Sequence, residues 1–182
     1  MNGSTGMLML NLLPMLALLA WAAAEDLRVR KIRNWLTFSL ALGGIACSAA
    51  YPQLVTPGGA MLGLLTGFAL TFVPFAMGAL GGGDVKLLAG VGAWLGPVGA
   101  LQVFMAAAII GMLIVLGQCA WQGRLTVLFR NSAMLMINLV HVGDVGLKHA
   151  TDTGKSCRSV DKPLPYAVPV LVAVLLVLAT HG

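Results

Sequence analysis

The chain has 182 residues, of which 59% are apolar and only 9% are charged, whereas about 25% are charged in an average soluble domain. This composition argues against a soluble enzyme, a nucleic-acid-binding protein and a disordered tail. The formal net charge is +5, but the charges fall in three clusters between long uncharged stretches, which is typical of a polytopic membrane protein. We therefore expect the lipid bilayer, and no nucleic acid, as a partner.

Five stretches are long and apolar enough to cross a bilayer, which takes roughly 20 helical residues. They are Met7–Ala24, Trp35–Tyr51, Gly59–Leu80, Val98–Ala120 and Leu164–Thr180. A sixth stretch, Val85–Leu95, spans only ~16 Å as a helix, against a membrane core of ~30 Å. Gly96-Pro97 then interrupts the apolar run. Val85–Leu95 is therefore either a short helix of its own or the first part of a long kinked helix.

Met7–Ala20, followed by Ala22-Ala23-Ala24, also resembles a secretory signal with a small-residue cleavage site. No Lys or Arg precedes it, however, and four follow within ten residues. This order of charges favours a retained first helix whose C-terminal end lies inside the cell.

The positions of the basic residues distinguish five spans from six. They occur in residues 25–34, at Lys86 and in residues 121–163, whereas the loop 52–58 and the Gly96-Pro97 turn carry no charge. With six helices, every Lys and Arg lies on one side of the membrane, which the positive-inside rule makes cytoplasmic. We predict a single all-α domain over residues 1–182 with six transmembrane helices, the fourth short, and cytoplasmic loops at 25–34, 81–86 and 121–163.

The segment before the last span has two halves. Arg124–Val142 is apolar with interspersed basic residues, which is typical of a helix lying in the membrane interface. Gly143–Lys162 is polar and contains glycine and serine, so we expect a loop there.

Two aspartates stand out. Asp84 follows three consecutive glycines, which allow the backbone to bend and another segment to approach closely. Asp84 is interpreted either as a cap of the short fourth helix or as a functional acid at the membrane edge. Asp26 alone is equally an ordinary surface acid paired with a nearby arginine. Asn34 is expected to be the N-cap of the second span, and Lys86 to anchor the fourth helix at the interface.

The predicted topology brings Asp26 and Asp84 to the same membrane face. Two carboxylates in contact cannot both ionise easily, so such a pair shares a proton. One ionised and one protonated acid is the combination that aspartic peptide hydrolysis needs. The sequence offers no competing Ser/His/Asp order, and its histidines and cysteines are scattered, so we expect no metal and no cofactor. These residues are His141, His149, His181, Cys47, Cys119 and Cys157.

Three segments resemble the prepilin peptidases, bacterial membrane aspartic proteases marked by a G-x-G-D motif. Gly81–Leu87 is similar to that motif, Ala24–Thr37 to the family's first aspartate motif, and Leu164–Pro169 to the segment that opens the last helix. The resemblance singles out the supporting residues Gly81, Gly82, Gly83, Lys86, Asn34, Pro165 and Tyr166.

The resemblance implies that Asp26 and Asp84 are catalytic. The substrates would be type IV prepilins or pseudopilins, cut after a glycine on the cytoplasmic face of the bacterial inner membrane, with the N-terminus periplasmic. The sequence lacks the two C-x-x-C pairs of the larger, methylating members and resembles the short peptidases of tight-adherence (Flp) pilus systems. It departs from the family pattern at Arg33, where proline is usual, and at Ala167, where glycine is frequent.

Two alternatives stay open at this point. The chain is also interpretable as a non-enzymatic membrane protein, such as a small transporter or a pilus or secretion assembly factor, in which Asp84 is only a helix cap. A transporter is expected to show ionisable groups near the midplane or inverted repeats, which are not visible here. Presenilin-type proteases share G-x-G-D, but they usually carry a Tyr-Asp pair and more spans. The oligomeric state is left open.

Overall fold

The computed structural model describes residues 3–30, 32–77, 80–121 and 165–181. They form α1 (Gly3–Val29), α2 (Asn34–Ala50), α3 (Pro57–Ala76), α4 (Gly82–Trp121) and α5 (Ala167–His181). No strand occurs in these ranges, so the predicted all-α class is confirmed. The predicted interfacial helix and the loop after it lie outside the described residues, as do His141, His149 and Cys157.

Helix α1 extends beyond the predicted apolar stretch. The stretch was expected to end at Ala24, but the helix continues to Val29 and includes Glu25 and Asp26. The next residue, Arg30, terminates the helix: its N–H donates to the carbonyl oxygen of Asp26 (3.0 Å), and its φ of 54° is left-handed. The connection to α2 is therefore much shorter than the predicted loop 25–34. The prediction ended the apolar span at the first charged residue, whereas the helix continues through Glu25 and Asp26.

The starts of α2 and α3 differ in how they are capped. Thr56 caps α3 by accepting a hydrogen bond from the Gly59 N–H (3.1 Å). The N-cap of α2 is Arg33, which makes no side-chain cap, and Asn34 is the first helical residue. The expectation that Asn34 caps α2 is therefore wrong, and its side chain makes a contact between helices instead.

Helix α4 contains a sharp break at Gly96, whose φ of 74° and ψ of −178° are not helical. Across this break the chain folds back on itself: a Cβ added at Gly92 would lie 3.2 Å from the Cβ of Ala100. Eight residues along a continuous helix would separate these positions by about 12 Å. We call residues 82–95 the first arm of α4 and residues 97–121 its second arm.

Glycines let α3 and the first arm of α4 pack backbone against backbone. A Cβ on Gly63 would collide with the Gly92 carbonyl oxygen, and one on Gly67 would lie 2.5 Å from the Leu88 carbonyl oxygen. Such contacts between small residues are a common means of packing membrane helices. Trp94 joins the same arm to α2, because its indole N–H donates to the Leu40 carbonyl oxygen (2.7 Å).

The described surface is strongly apolar. Two of its helices are long and apolar enough to cross a membrane, Pro57–Ala76 and Gly82–Gln118, while Asn34–Ala50 and Ala167–Thr180 are apolar but shorter. Large apolar side chains are exposed along these helices, among them Phe38, Leu65, Phe72, Ile109, Leu113 and Leu176. Extended apolar surface of this kind is typical of a chain that contacts lipid or another protein.

Candidate active site

Asp26 lies near the C-terminal end of α1 and is only 6% exposed. Its Oδ2 atom accepts a hydrogen bond from the Ala167 N–H (3.0 Å), which belongs to the first turn of α5, where backbone N–H groups lack helical partners. Burial raises the pKa of Asp26, while the Ala167 hydrogen bond and the charge of Arg30 act in the opposite direction. Asp26 therefore joins α1 to α5 through a buried carboxylate.

Asp84 is the third residue of α4 and is half-buried. Its Oδ2 atom accepts a hydrogen bond from the Gly81 N–H (2.9 Å), while the Gly81 carbonyl oxygen accepts one from the Asp84 N–H (3.1 Å). A side chain at the third helical position that reaches back to the N-cap is half of a capping box. Asp84 therefore does take part in capping, although it is not itself the N-cap.

The two carboxylates and Tyr166 form one electrostatic cluster. The charge of Asp26 acts on Asp84, and the charge of Asp84 acts on the Tyr166 hydroxyl. Tyr166 and Pro165 immediately precede α5, and the Pro165 carbonyl oxygen accepts a hydrogen bond from the Val168 N–H (3.3 Å). The fold thus brings together one residue from each of the three segments that carry the family resemblance.

The glycines before Asp84 allow neighbouring segments to approach. A Cβ on Gly83 would lie 3.3 Å from the Cβ of Ile32, and one on Gly82 would lie 3.6 Å from the Phe75 ring. None of Gly81, Gly82 and Gly83 has a positive φ; among the described glycines only Gly96 does. Close approach, rather than an unusual backbone conformation, is therefore the structural use of Gly83, whereas a Cβ on Gly82 would make only an ordinary van der Waals contact.

Lys86 links the start of α4 to the start of α2. Its ammonium group donates to Asn34 Oδ1 (3.0 Å) and lies 5.8 Å from the centre of the Phe38 ring. Lys86 is exposed, and its role as an anchor of this helix near the membrane interface stays a prediction. The specific partner, Asn34, was not foreseen.

Glu25 and Arg33 form an ion pair that the sequence prediction missed. Arg33 Nε lies 3.3 Å from Glu25 Oε1, and the Arg33 and Glu25 side chains are 68% and 17% exposed. Glu25 Oε2 is buried and has no hydrogen-bond partner among the described residues. The available signal was an acid beside Asp26 together with the unusual arginine before Asn34.

The residues around Asp26 and Asp84 are suited to acid–base chemistry. Within the described ranges, no three His, Cys, Asp or Glu side chains cluster so as to hold a metal ion. A cavity of about 340 Å³ lies away from the carboxylates, near Tyr51, Val55, Trp94 and Val98, and no Asp, Glu, Lys, Arg or His lines it. The carboxylate pair is therefore the candidate active site.

The helical fold, the apolar surface and the grouping of charged residues around Asp26 and Asp84 are those of an α-helical membrane protein. The type IV leader peptidase family matches residues 13–116, more than half of the chain, and the protein belongs to that family. Family membership makes it a protease of the leader peptidase type, in agreement with the prepilin peptidase resemblance. The matched residues include Asp26 and Asp84 but not Tyr166. No curated protein and no solved structure matches the chain significantly.

Proposed function

We propose that the protein is an aspartic prepilin peptidase in which Asp26 and Asp84 are the catalytic pair. The observation that carries the proposal is that two carboxylates from different helices of a leader peptidase family member lie near enough for the charge of Asp26 to help raise the pKa of Asp84. Their separation in sequence means that only the tertiary fold brings them together. If Asp84 were only a helix cap, there would be no reason for a second acid, Asp26, near it.

The proposed reaction is a single hydrolysis of the peptide bond between leader and pilin. The ionised carboxylate takes a proton from a water molecule, whose oxygen attacks the scissile carbonyl carbon, while the protonated carboxyl group donates to the carbonyl oxygen. When the tetrahedral gem-diol intermediate collapses, the C–N bond breaks. The carboxyl group that took the proton from water gives it to the leaving amine, and a gem-diol hydroxyl returns a proton to the other carboxylate. The pair holds one proton before and after each cycle, so its titration belongs to both residues together.

The proposed location of this chemistry is the cytoplasmic face of the bacterial inner membrane. Every charged side chain in the described residues falls within 25–33 or 84–86, which includes both aspartates. The basic members of this set are Arg28, Arg30, Arg33 and Lys86. By the positive-inside rule this end faces the cytoplasm.

Six spans are part of the same proposal. The fold-back at Gly96 supports counting the two arms of α4 separately. This count places the C-terminal end of the second arm on the same side as Asp84, and the N-terminus in the periplasm.

The proposed substrates are type IV prepilins of the Flp class. A prepilin presents an apolar helix preceded by a short basic leader, so the helix would remain among the apolar spans while the leader junction reaches the carboxylates. The exposed apolar side chains of α2, α3 and α4 provide surface for such a helix.

Co-expression with a candidate Flp-type prepilin tests the function. We expect leader removal with the wild type and its loss with both Asp26→Asn and Asp84→Asn. Asparagine keeps a side-chain oxygen that accepts from the Ala167 or Gly81 N–H but cannot exchange a proton, so these variants separate catalysis from capping. Gly111→Ala is the matched control, since a Cβ there meets nothing within 4 Å. Normal processing by either asparagine variant would contradict the proposal.

A further inference from the structure

The turn between α1 and α2 holds an unfavourable backbone conformation beside Asp26. Arg30 is the only non-glycine residue with a positive φ among the described residues (54°), and this left-handed region is disfavoured for a residue that carries a Cβ. Such a conformation persists where the surrounding structure holds it in place. The turn therefore depends on contacts made by its neighbours.

Two contacts hold this turn: one joins it to α4, and the other joins α1 to α2. Ile32 packs against the backbone of Gly83, the residue before Asp84. The Glu25–Arg33 ion pair connects the last turns of α1 directly to the N-cap of α2. Since Glu25 immediately precedes Asp26, any movement of this end of α1 also moves the Asp26 carboxylate.

Glu25 is not an ordinary surface acid. Its side chain is only 17% exposed, and its Oε2 atom is fully buried without a hydrogen-bond partner among the described residues. An exposed ion pair contributes little, but removing the partner of a largely buried acid leaves an uncompensated charge. Loss of Arg33 would therefore leave the Glu25 carboxylate without its charged partner, and a movement of Glu25 towards water would disturb the helix end that carries Asp26.

We propose that the Glu25–Arg33 ion pair positions Asp26 by fixing the end of α1 against the start of α2. Glu25 and Arg33 are positioning residues that act through Asp26 and do not contact the scissile bond. The inference rests on the proposed catalytic role of Asp26 and extends it to residues outside the carboxylate pair.

Kinetics of purified variants on a prepilin in proteoliposomes test this role. We expect Arg33→Gln and Glu25→Gln each to lower kcat by about tenfold to a hundredfold, as small misplacements of a reacting group do, with KM unchanged. Arg33→Lys, which keeps the charge, should retain most activity. The double variant Glu25→Gln/Arg33→Gln should be no slower than either single variant, because both remove the same interaction. An unchanged kcat, or an effect confined to KM, would overturn the proposal.

A proline at position 33 tests whether the ion pair acts by stiffening the turn or by its charge. Arg33 has a φ of −68°, which is the value that proline imposes. We expect Glu25→Gln/Arg33→Pro to recover a kcat above that of Glu25→Gln alone, because proline stiffens the turn without leaving a buried charge. If the double variant is as slow as Glu25→Gln or slower, stiffness of the turn is not what the ion pair supplies, and the proposal fails.

A measurement without catalysis separates this inference from the proposed function. A water-soluble carbodiimide with an amine labels accessible carboxyl groups, and mass spectrometry locates the label. Asp26 is 6% exposed, so it should be protected in the wild type and in Gly111→Ala, and labelled several-fold faster in Arg33→Gln. Unchanged labelling would overturn the positioning role even if the enzyme is active. Normal cleavage by Asp26→Asn would instead overturn the proposed function, whatever the labelling result.

Discussion

Asp26 combines nearly complete burial with a hydrogen bond from a backbone N–H of another helix. Burial disfavours the charged carboxylate, and the donor and Arg30 favour it, with burial the larger effect. A carboxyl group with a raised pKa is suited to exchanging protons at pH values where an exposed acid stays ionised. At the residue scale, the environment of Asp26 is thus compatible with general acid–base chemistry.

The raised pKa of Asp26 predicts how stability depends on pH. Because the folded state prefers neutral Asp26, this stabilisation is present below the ordinary carboxyl pKa of 3.8 and is lost as the pH rises through the folded-state value. Asp26→Asn is neutral at every pH and keeps the acceptor for Ala167. We expect the Tm of Asp26→Asn, relative to wild type, to increase from about pH 4 to about pH 7. A relative Tm that falls over this range would contradict the burial argument.

The residues of the site were predictable to different degrees. Asp26 and Asp84 were recognisable because acids are rare in this sequence and these two flank apolar spans. Glu25 was not recognised, because an acid beside several basic residues has an ordinary surface interpretation. Its ion pair with Arg33 depends on how the chain folds between α1 and α2. The hydrogen bond from the Ala167 N–H to Asp26 was not predictable either, since a backbone donor has no signature in the sequence.

Helix α4 determines where Asp84 lies. Its first arm packs against α2 through Trp94 and against α3 through glycines. The break at Gly96 turns the start of the second arm back, so that Ala100 lies against Gly92. The sequence predicted an interruption at Gly96-Pro97, but glycine and proline permit both a kink and a reversal. The prediction of six spans, with a reversal at this point, therefore depended on the positions of the basic residues.

Gly63→Ala tests the packing that holds the first arm. The added Cβ would collide with the backbone carbonyl of Gly92, and backbone cannot move aside as a side chain can. We expect a loss of about 1–3 kcal/mol in the free energy of unfolding, typical of overpacking, and reduced activity because Asp84 shifts with the arm. Thermal unfolding in detergent measures the effect. The matched control, Gly111→Ala, should stay within about 0.5 kcal/mol of wild type; equal stability of the two variants would contradict the packing.

At the scale of the whole molecule, charge is confined to one end. The described charged residues all lie in 25–33 and 84–86, while large apolar side chains are exposed along the helices. This separation follows from the composition, which has too few polar residues to cover a soluble surface. Composition therefore predicted the environment of the protein, whereas the contacts among α1, α4 and α5 required the three-dimensional structure.

Reporter fusions test the proposed topology. A fusion after Trp121 should report the cytoplasm if the second arm of α4 returns across the membrane, and the periplasm if α4 crosses only once. A fusion at Pro57, in the uncharged connection before α3, should report the periplasm in either case and serves as the control. A periplasmic report from Trp121 would contradict the six-span arrangement.

Leader release by the purified protein in proteoliposomes tests whether Asp26 and Asp84 catalyse the hydrolysis. The measurement compares single-turnover cleavage of a Flp-type prepilin by the wild type, Asp26→Asn and Asp84→Asn, with the cleavage site read by mass spectrometry. We expect one cut at the leader junction with the wild type and rates lower by about 10²–10⁴-fold with each variant, the usual contribution of a general acid or base. Cleavage at the wild-type rate by either folded variant would contradict catalysis by the carboxylate pair.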